Sequence, residues 1–192
     1  MTQHPDTTWK SLGEKITQTM SRKQIPGVAI GVLYQDQCWT AGFGITNVDH
    51  PLAVTDETLF QIGSITKTFV GTAIMRLVEQ DKIDLDAAVG TYLPNFRVVD
   101  ETASTAATVR HLLTHTAGWA GDYFHATGSG DDALARYVSD MAELPQLAPL
   151  GQIWSYNNAS FSVVGRIVEQ VTGQTFEAAL RALVLEPLDL DG

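Results

Sequence analysis

Two hydrophobic periods divide the chain. Trp9, Leu12, Ile16 and Met20 recur at helical spacing, which predicts an amphipathic helix over 7–22 that stops at Ile25-Pro26-Gly27. VAIGVLY and CWTAGFGITNV follow, rich in β-branched and aromatic residues, and the polar Gln35-Asp36-Gln37 between them reads as a hairpin turn. Gly42 and Gly44 suggest a bulge or a close backbone approach. From Ser64 to about Gln80 a strong 3.6-residue pattern appears, with Phe69, Val70, Ala73, Ile74, Leu77 and Val78 as its apolar stripe. DKIDLDAAVGTYLPNF then predicts a turn, a short helix and a proline stop, and TVRHLLTHTAG a short helix ended by Gly118. WAGDYFHATGSGDD is a glycine-rich surface loop, 131–143 reads as helix, and LPQLAPLGQIW is a proline-rich connection. Phe161, Val164, Val168 and Val171 mark another helix closed by Gly173, and TFEAALRALVLEPL gives a last one before a proline.

The expected organisation is one domain over 1–192, with a helix and sheet hairpin over 7–60 and a largely helical part over 61–192. An isolated hairpin is marginal in water, so the two strands are expected to belong to a larger sheet. Its other strands are not found in this sequence, and the domain is expected to be incomplete, the fold continuing beyond Gly192.

Composition narrows the function classes. Twenty-two acidic residues against twelve basic give a net charge of −10, and no basic cluster appears, which argues against a nucleic-acid partner. Cys38 is the one cysteine, so there is no intrachain disulfide framework and no thiolate metal cluster; in a strand-like segment it reads as a small core residue. No apolar run approaches the roughly 20 residues of a membrane span. MTQHPDTTWKSLGEK lacks the apolar core of a signal peptide, so the expected location is cytoplasmic, or periplasmic or secreted where a leader has been removed.

Candidate chemistry begins in FQIGSITKTFVG, where Lys67 follows Ser64 by three residues at the start of an apolar helix. Positions i and i+3 share a helix face. Ser64 falls at the helix start, where unpaired N–H groups and the dipole favour a developing oxyanion. A lysine amine in a desolvated pocket loses basicity and can take a serine proton one turn away. The plain alternative is that Ser64 caps the helix and Lys67 reaches solvent.

WSYNNASF holds the second constellation. Tyr156 can relay a proton to a leaving group, and the Asn158 amide can hold a lysine or a substrate amide. The alternatives are a helix cap at Asn158 and a packed aromatic at Tyr156. His111 and His115 are four apart on what reads as one helix face, without the glutamate of H-E-x-x-H or an evident third ligand, so a hydrogen-bonded structural role is preferred to zinc. No G-x-G-x-x-G, P-loop or G-x-S-x-G occurs. Trp119, Tyr123 and Phe124 either line a substrate cleft or pack.

In order, Ser64-Ile-Thr-Lys67, LLTHTAG at 112–118 and Tyr156-Asn-Asn158 resemble the serine β-lactamase and penicillin-binding-protein superfamily, and most closely its class C β-lactamase-like branch. PGVAIGVLY, GFGITNVD, TLFQIGSITKTF and LEPLDL resemble that branch too, so the likeness runs from about residue 10 to 190. It implies an α/β (α+β) fold and no cofactor or metal. It implies a serine hydrolase or acyl transferase working through an acyl-enzyme on a small-molecule or peptide substrate with a reactive carbonyl: an ester, amide or β-lactam. Ser64 would be the nucleophile, Lys67 its base alone or with Tyr156, Tyr156 the proton relay, and Asn158 a partner to Lys67 and substrate. One oxyanion donor would be the Ser64 N–H.

The sequence departs from the pattern in one respect. The family's third motif, K-T-G or H-x-G on a sheet strand, does not follow Tyr156. The expectation is therefore a C-terminally truncated chain lacking sheet strands, weak or inactive alone, that associates with itself or with a complementing C-terminal fragment. The alternative function is a non-catalytic penicillin-binding sensor or binding module of the same fold.

Overall fold

The computed structural model describes residues 5–190, which divide between Gln61 and Ile62 into two compact units. In the first, helix α1 (Pro5–Lys23) precedes strands β1 (Gly27–Tyr34) and β2 (Gln37–Gly44). The strands pair antiparallel from Gly27 opposite Gly44 to Tyr34 opposite Gln37. That register leaves a two-residue loop, and Gln35 and Asp36 both take positive φ, at 49° and 61°. Such a turn twists in the same sense as its strands.

Side-chain alternation then sets the faces. Val28, Ile30 and Val32 lie opposite Phe43, Ala41 and Trp39, and all six are half-buried. On α1, Met20 is buried and Trp9, Leu12 and Ile16 are half-buried, and Gly13 stands next to the Phe43 ring. Gly42 is required, since a Cβ there would lie 2.2 Å from the Val54 carbonyl oxygen. Cys38 is not a core residue. It follows the pleat to the face opposite Trp39, pairs with Leu33, and both are exposed.

The second unit is helical. A 3₁₀ turn, Gly63–Ile65, leads into α2 (Thr66–Glu79). Then come α3 (Val89–Tyr92), α4 (Glu101–Ala106), α5 (Val109–Leu113), α6 (Ala133–Asp140), α7 (Asn158–Thr172) and α8 (Phe176–Leu180). Val70, Ala73, Ile74 and Leu77 of α2 are buried with Ala159, Val163, Val164, Ile167 and Val168 of α7 in one core. Each fully buried valine, isoleucine or leucine side chain there contributes about 1.5–3 kcal/mol. Gly173 closes α7 in the left-handed conformation at φ 68°. The last helix is not one segment: α8 passes into a wide π turn at Arg181–Leu185 and a 3₁₀ turn at Glu186–Leu188, where Pro187 stands.

The architecture is mixed α/β, with two strands among the described residues. No helix among them is long and apolar enough to cross a membrane.

Candidate active site

Ser64 sits in the 3₁₀ turn, two residues ahead of Thr66, where α2 begins, and not at the first position of that helix as the periodicity suggests. Its hydroxyl caps neither that turn nor α2, whose flanking positions Ile62 and Ile65 carry no capping side chain. The hydroxyl is thus available for chemistry, and Ser64 is exposed. Lys67 follows within the first turn of α2. Its Nζ lies 3.5 Å from Ser64 Oγ and donates to Asn158 Oδ1 at 2.7 Å. It also stands 4.8 Å from the Tyr156 ring centre and 5.3 Å from that of Phe161. The four residues singled out in the sequence therefore converge on one amine, although Ser64 and Asn158 stand far apart in the chain.

The cap of α7 is Asn157, not Asn158. Asn157 Oδ1 accepts from Ser160 N–H at 2.8 Å, and its Nδ2 donates to the Trp119 carbonyl at 2.9 Å. Asn157 is almost fully buried, while Asn158, one position on, is half-buried and turned toward Lys67. Asp122 fixes which way the Asn158 amide faces: its Oδ1 accepts from Nδ2 at 3.0 Å, leaving Oδ1 of Asn158 for the lysine. The Gly121 carbonyl accepts from the N–H groups of Asn158 and Ala159, each at 3.1 Å. A Cβ on Gly121 would lie 2.6 Å from the Tyr156 carbonyl oxygen, so this approach requires glycine.

Tyr156 is exposed and is not a core aromatic. Hydrogen bonding with Lys67, and next with Ser64, lowers its hydroxyl below the ordinary tyrosine pKa, against smaller opposing effects of burial and of Asp122. A tyrosine hydroxyl lowered in this way gives up its proton more readily, which suits a proton relay to a serine.

The two histidines do not share a helix face. α5 ends at Leu113, and His115 takes the left-handed conformation at φ 59°. His111 has the structural role expected: its Nδ1 accepts from Thr108 N–H at 3.2 Å in a capping box. His115 instead reaches the candidate site. Its Nδ1 accepts from Asn157 N–H at 3.0 Å, and its ring lies 4.7 Å from the Tyr156 ring. Burial, then the Lys67 charge, hold the imidazole below its ordinary pKa. His115 and Asp122 are the two residues that sequence reasoning did not place here. The HTAG stretch was the one local signal for His115, and none marked Asp122.

Of the loop aromatics, Trp119 packs, with its ring 5.7 Å from that of Phe96. Tyr123 packs against Tyr137 and accepts that hydroxyl at its carbonyl, 2.6 Å away. Phe124 is exposed and borders an open cavity of about 340 Å³ with Lys67, Asn158, Phe161, Leu134 and Phe176. Among the described residues no group of three His, Cys, Asp or Glu side chains is placed to hold a metal ion.

Comparison with known proteins finds relatives of the chain. The family model described as Beta-lactamase matches residues 12–192. Penicillin-binding protein 4 of Amycolatopsis lactamdurans is 36% identical over 177 residues, covering 92% of this chain and 46% of that protein. Esterase EstB of Burkholderia gladioli is 32% identical over 183 residues, covering 88% of this chain and 46% of its own length. Among solved structures, the octameric penicillin-binding protein homologue from Pyrococcus abyssi superposes with a TM-score of 0.79 at 30% identity, covering 95% of this chain and 43% of that one. The chain thus spans about half the length of the curated relatives it matches.

Proposed function

The chain belongs to the Beta-lactamase family, whose members include serine hydrolases, and on that premise we propose that its Ser64 forms an acyl-enzyme with esters, amides or β-lactams. One observation carries the reading: Lys67 Nζ stands within 3.5 Å of Ser64 Oγ while Asn158 Oδ1 holds it at 2.7 Å. In the proposed cycle Ser64 Oγ attacks the substrate carbonyl as its proton passes to Tyr156, whose phenolate form Lys67 favours. The carbonyl–leaving-group bond then breaks, and Tyr156 returns the proton to the departing oxygen or nitrogen. Water later attacks the ester on Ser64, releasing a carboxylic acid and restoring the hydroxyl. The Ser64 N–H supplies one oxyanion donor. Lys67 and Asn158 orient the nucleophile and the substrate.

Removing one oxyanion donor costs roughly 10²–10³ in rate. With one such donor assigned and Ser64 exposed, we expect slow turnover from these 192 residues alone. The open edges of the β1–β2 hairpin are where we place any self-association or pairing with a complementing segment.

A second reading, acylation without turnover, is favoured by the likeness to a protein named as penicillin-binding. Release of p-nitrophenol from an activated ester, and opening of a β-lactam, followed in time beside Ser64→Ala, separate the readings. Continued release above the Ser64→Ala background supports the hydrolase. A single stoichiometric burst supports the second reading. Identical traces from both proteins contradict the assignment of Ser64.

A further inference from the structure

We infer that His115 is a positioning residue that holds Tyr156 against Lys67, and that it does so only while its Nδ1 is unprotonated. The inference rests on the reading that Tyr156 serves Ser64.

The support is geometric. The backbone on both sides of Tyr156 hangs on His115. Ser155 N–H donates to the His115 carbonyl at 2.9 Å, and Asn157 N–H donates to His115 Nδ1 at 3.0 Å. The imidazole ring also lies 4.7 Å from the Tyr156 ring, 5.2 Å from that of Phe161 and 6.0 Å from that of Trp154. His115 thus grips the tyrosine by its backbone and its side chain at once. Accepting at Nδ1 puts the ring proton on Nε2.

The residue also sits where a side chain is costly. His115 has φ 59°, a region that non-glycine residues visit uncommonly, histidine more readily than most. A glycine there would relieve the backbone but would lack the acceptor. Strain of this kind marks a constrained position when the surroundings over-determine it, and here two hydrogen bonds and three ring contacts do so.

Protonation would undo the grip. A second proton on the ring occupies the Nδ1 lone pair and leaves the N–H of the buried Asn157 facing another donor. It also places a cation close to Lys67. The ionisable groups facing His115 are Lys67 of α2 and Tyr156 of the adjoining loop, and Asp122, bonded to Asn158, is the charged group of the neighbouring loop. Burial and the Lys67 charge both oppose the imidazolium, so the grip persists below the ordinary histidine pKa of 6.5 and fails at lower pH.

The test uses the full chain and two substitutions. His115→Asn keeps an oxygen acceptor near the Nδ1 position and tolerates positive φ, but it does not titrate. His115→Phe keeps a ring and loses the acceptor. The first readout is the Tyr156 phenol titration by ultraviolet absorbance, taken as the difference from Tyr156→Phe, which needs no catalysis. The second is the pH profile of Ser64 acylation by an activated ester. His115→Phe should raise the phenol midpoint toward that of an ordinary tyrosine and slow acylation by about 10²-fold, at unchanged ester KM. His115→Asn should restore both and lose the acidic limb of the wild-type profile. Phenol midpoints that agree in wild type, His115→Asn and His115→Phe overturn the inference, as does a His115→Asn protein that behaves like His115→Phe. Should wild type show no Ser64-dependent acylation, the reading of Ser64 falls, and the phenol titration alone still decides whether His115 positions Tyr156.

Discussion

Lys67 Nζ and Asn158 Oδ1 meet at 2.7 Å across 91 residues of sequence, and that bond ties the first turn of α2 to the first turn of α7. The same two helices share the core of the second unit through Ile74, Leu77, Val163 and Ile167. The core therefore sets the separation of the two turns, and the lysine is held by the packing of both helices. The neighbouring Asn157 spends its side chain on capping α7.

Adjacent asparagines should therefore separate folding from chemistry. Asn157→Ala removes a buried cap and leaves the Ser160 N–H and the Trp119 carbonyl without their partner, at a cost of about 2–4 kcal/mol. Asn158→Ala frees Lys67 and is expected to slow Ser64 acylation by about 10²-fold, with a smaller loss of stability. Urea unfolding and acylation rates on both variants check this. The reverse pattern would show that the two roles are exchanged.

Tyr156→Phe keeps the ring beside His115 and removes the hydroxyl. Acylation should fall by about 10²–10⁴-fold, the range for loss of a general acid–base group. The phenol that titrates below the ordinary tyrosine value of 10.0 should disappear from the absorbance titration. A variant retaining the wild-type acylation rate would remove Tyr156 from the mechanism.

Gly121→Ala introduces a Cβ within 2.6 Å of the Tyr156 carbonyl oxygen, and the backbone of one loop must move. The expected stability cost is about 1–3 kcal/mol. The same movement should displace both Tyr156 and Asn158, so acylation falls more than stability alone explains. Thermal unfolding beside acylation of the folded variant measures the two effects.

Stability should also fall on acidification. The pKa of His115 is lowered on folding, so the unfolded chain takes up a proton that the folded chain refuses. The stabilisation is complete above the unfolded value of 6.5 and is lost as pH falls through the folded value. Urea midpoints should decline as the pH falls below the ordinary histidine value of 6.5, and less steeply in His115→Asn. Equal slopes in the two proteins would contradict the assignment.

Much of this fold is legible in the periodicity of the chain. The stripe of α2, the hairpin and the valines of α7 each announce themselves, because long amphipathic patterns override local irregularity. α4 does not: ETASTA buries only Ala103 and depends on the Asp100 side chain, which accepts from Ala103 N–H at 2.6 Å. Cys38 is not legible as an exposed residue, because both members of the Cys38-Trp39 pair suit a core and only the register decides which of them is turned inward. The local motifs of the site could be read, yet spacing cannot tell which of two adjacent asparagines caps a helix. Asp122 joins Asn158 across 36 residues, and His115 joins Asn157 across 42. Such contacts are products of tertiary packing and leave no periodic trace. His115 is placed on the helix by its spacing for a further reason: Gly118 is the evident breaker, whereas the chain already turns left-handed at His115.

The most direct measurement is to locate the acyl group. The chain would be exposed briefly to an activated ester, quenched and digested, and the modified peptide identified by mass, with Ser64→Ala treated in parallel. The account predicts one acyl group on Ser64 of wild type and none at that rate on the variant. Equal labelling of both proteins, or labelling confined to surface lysines and tyrosines, would contradict it.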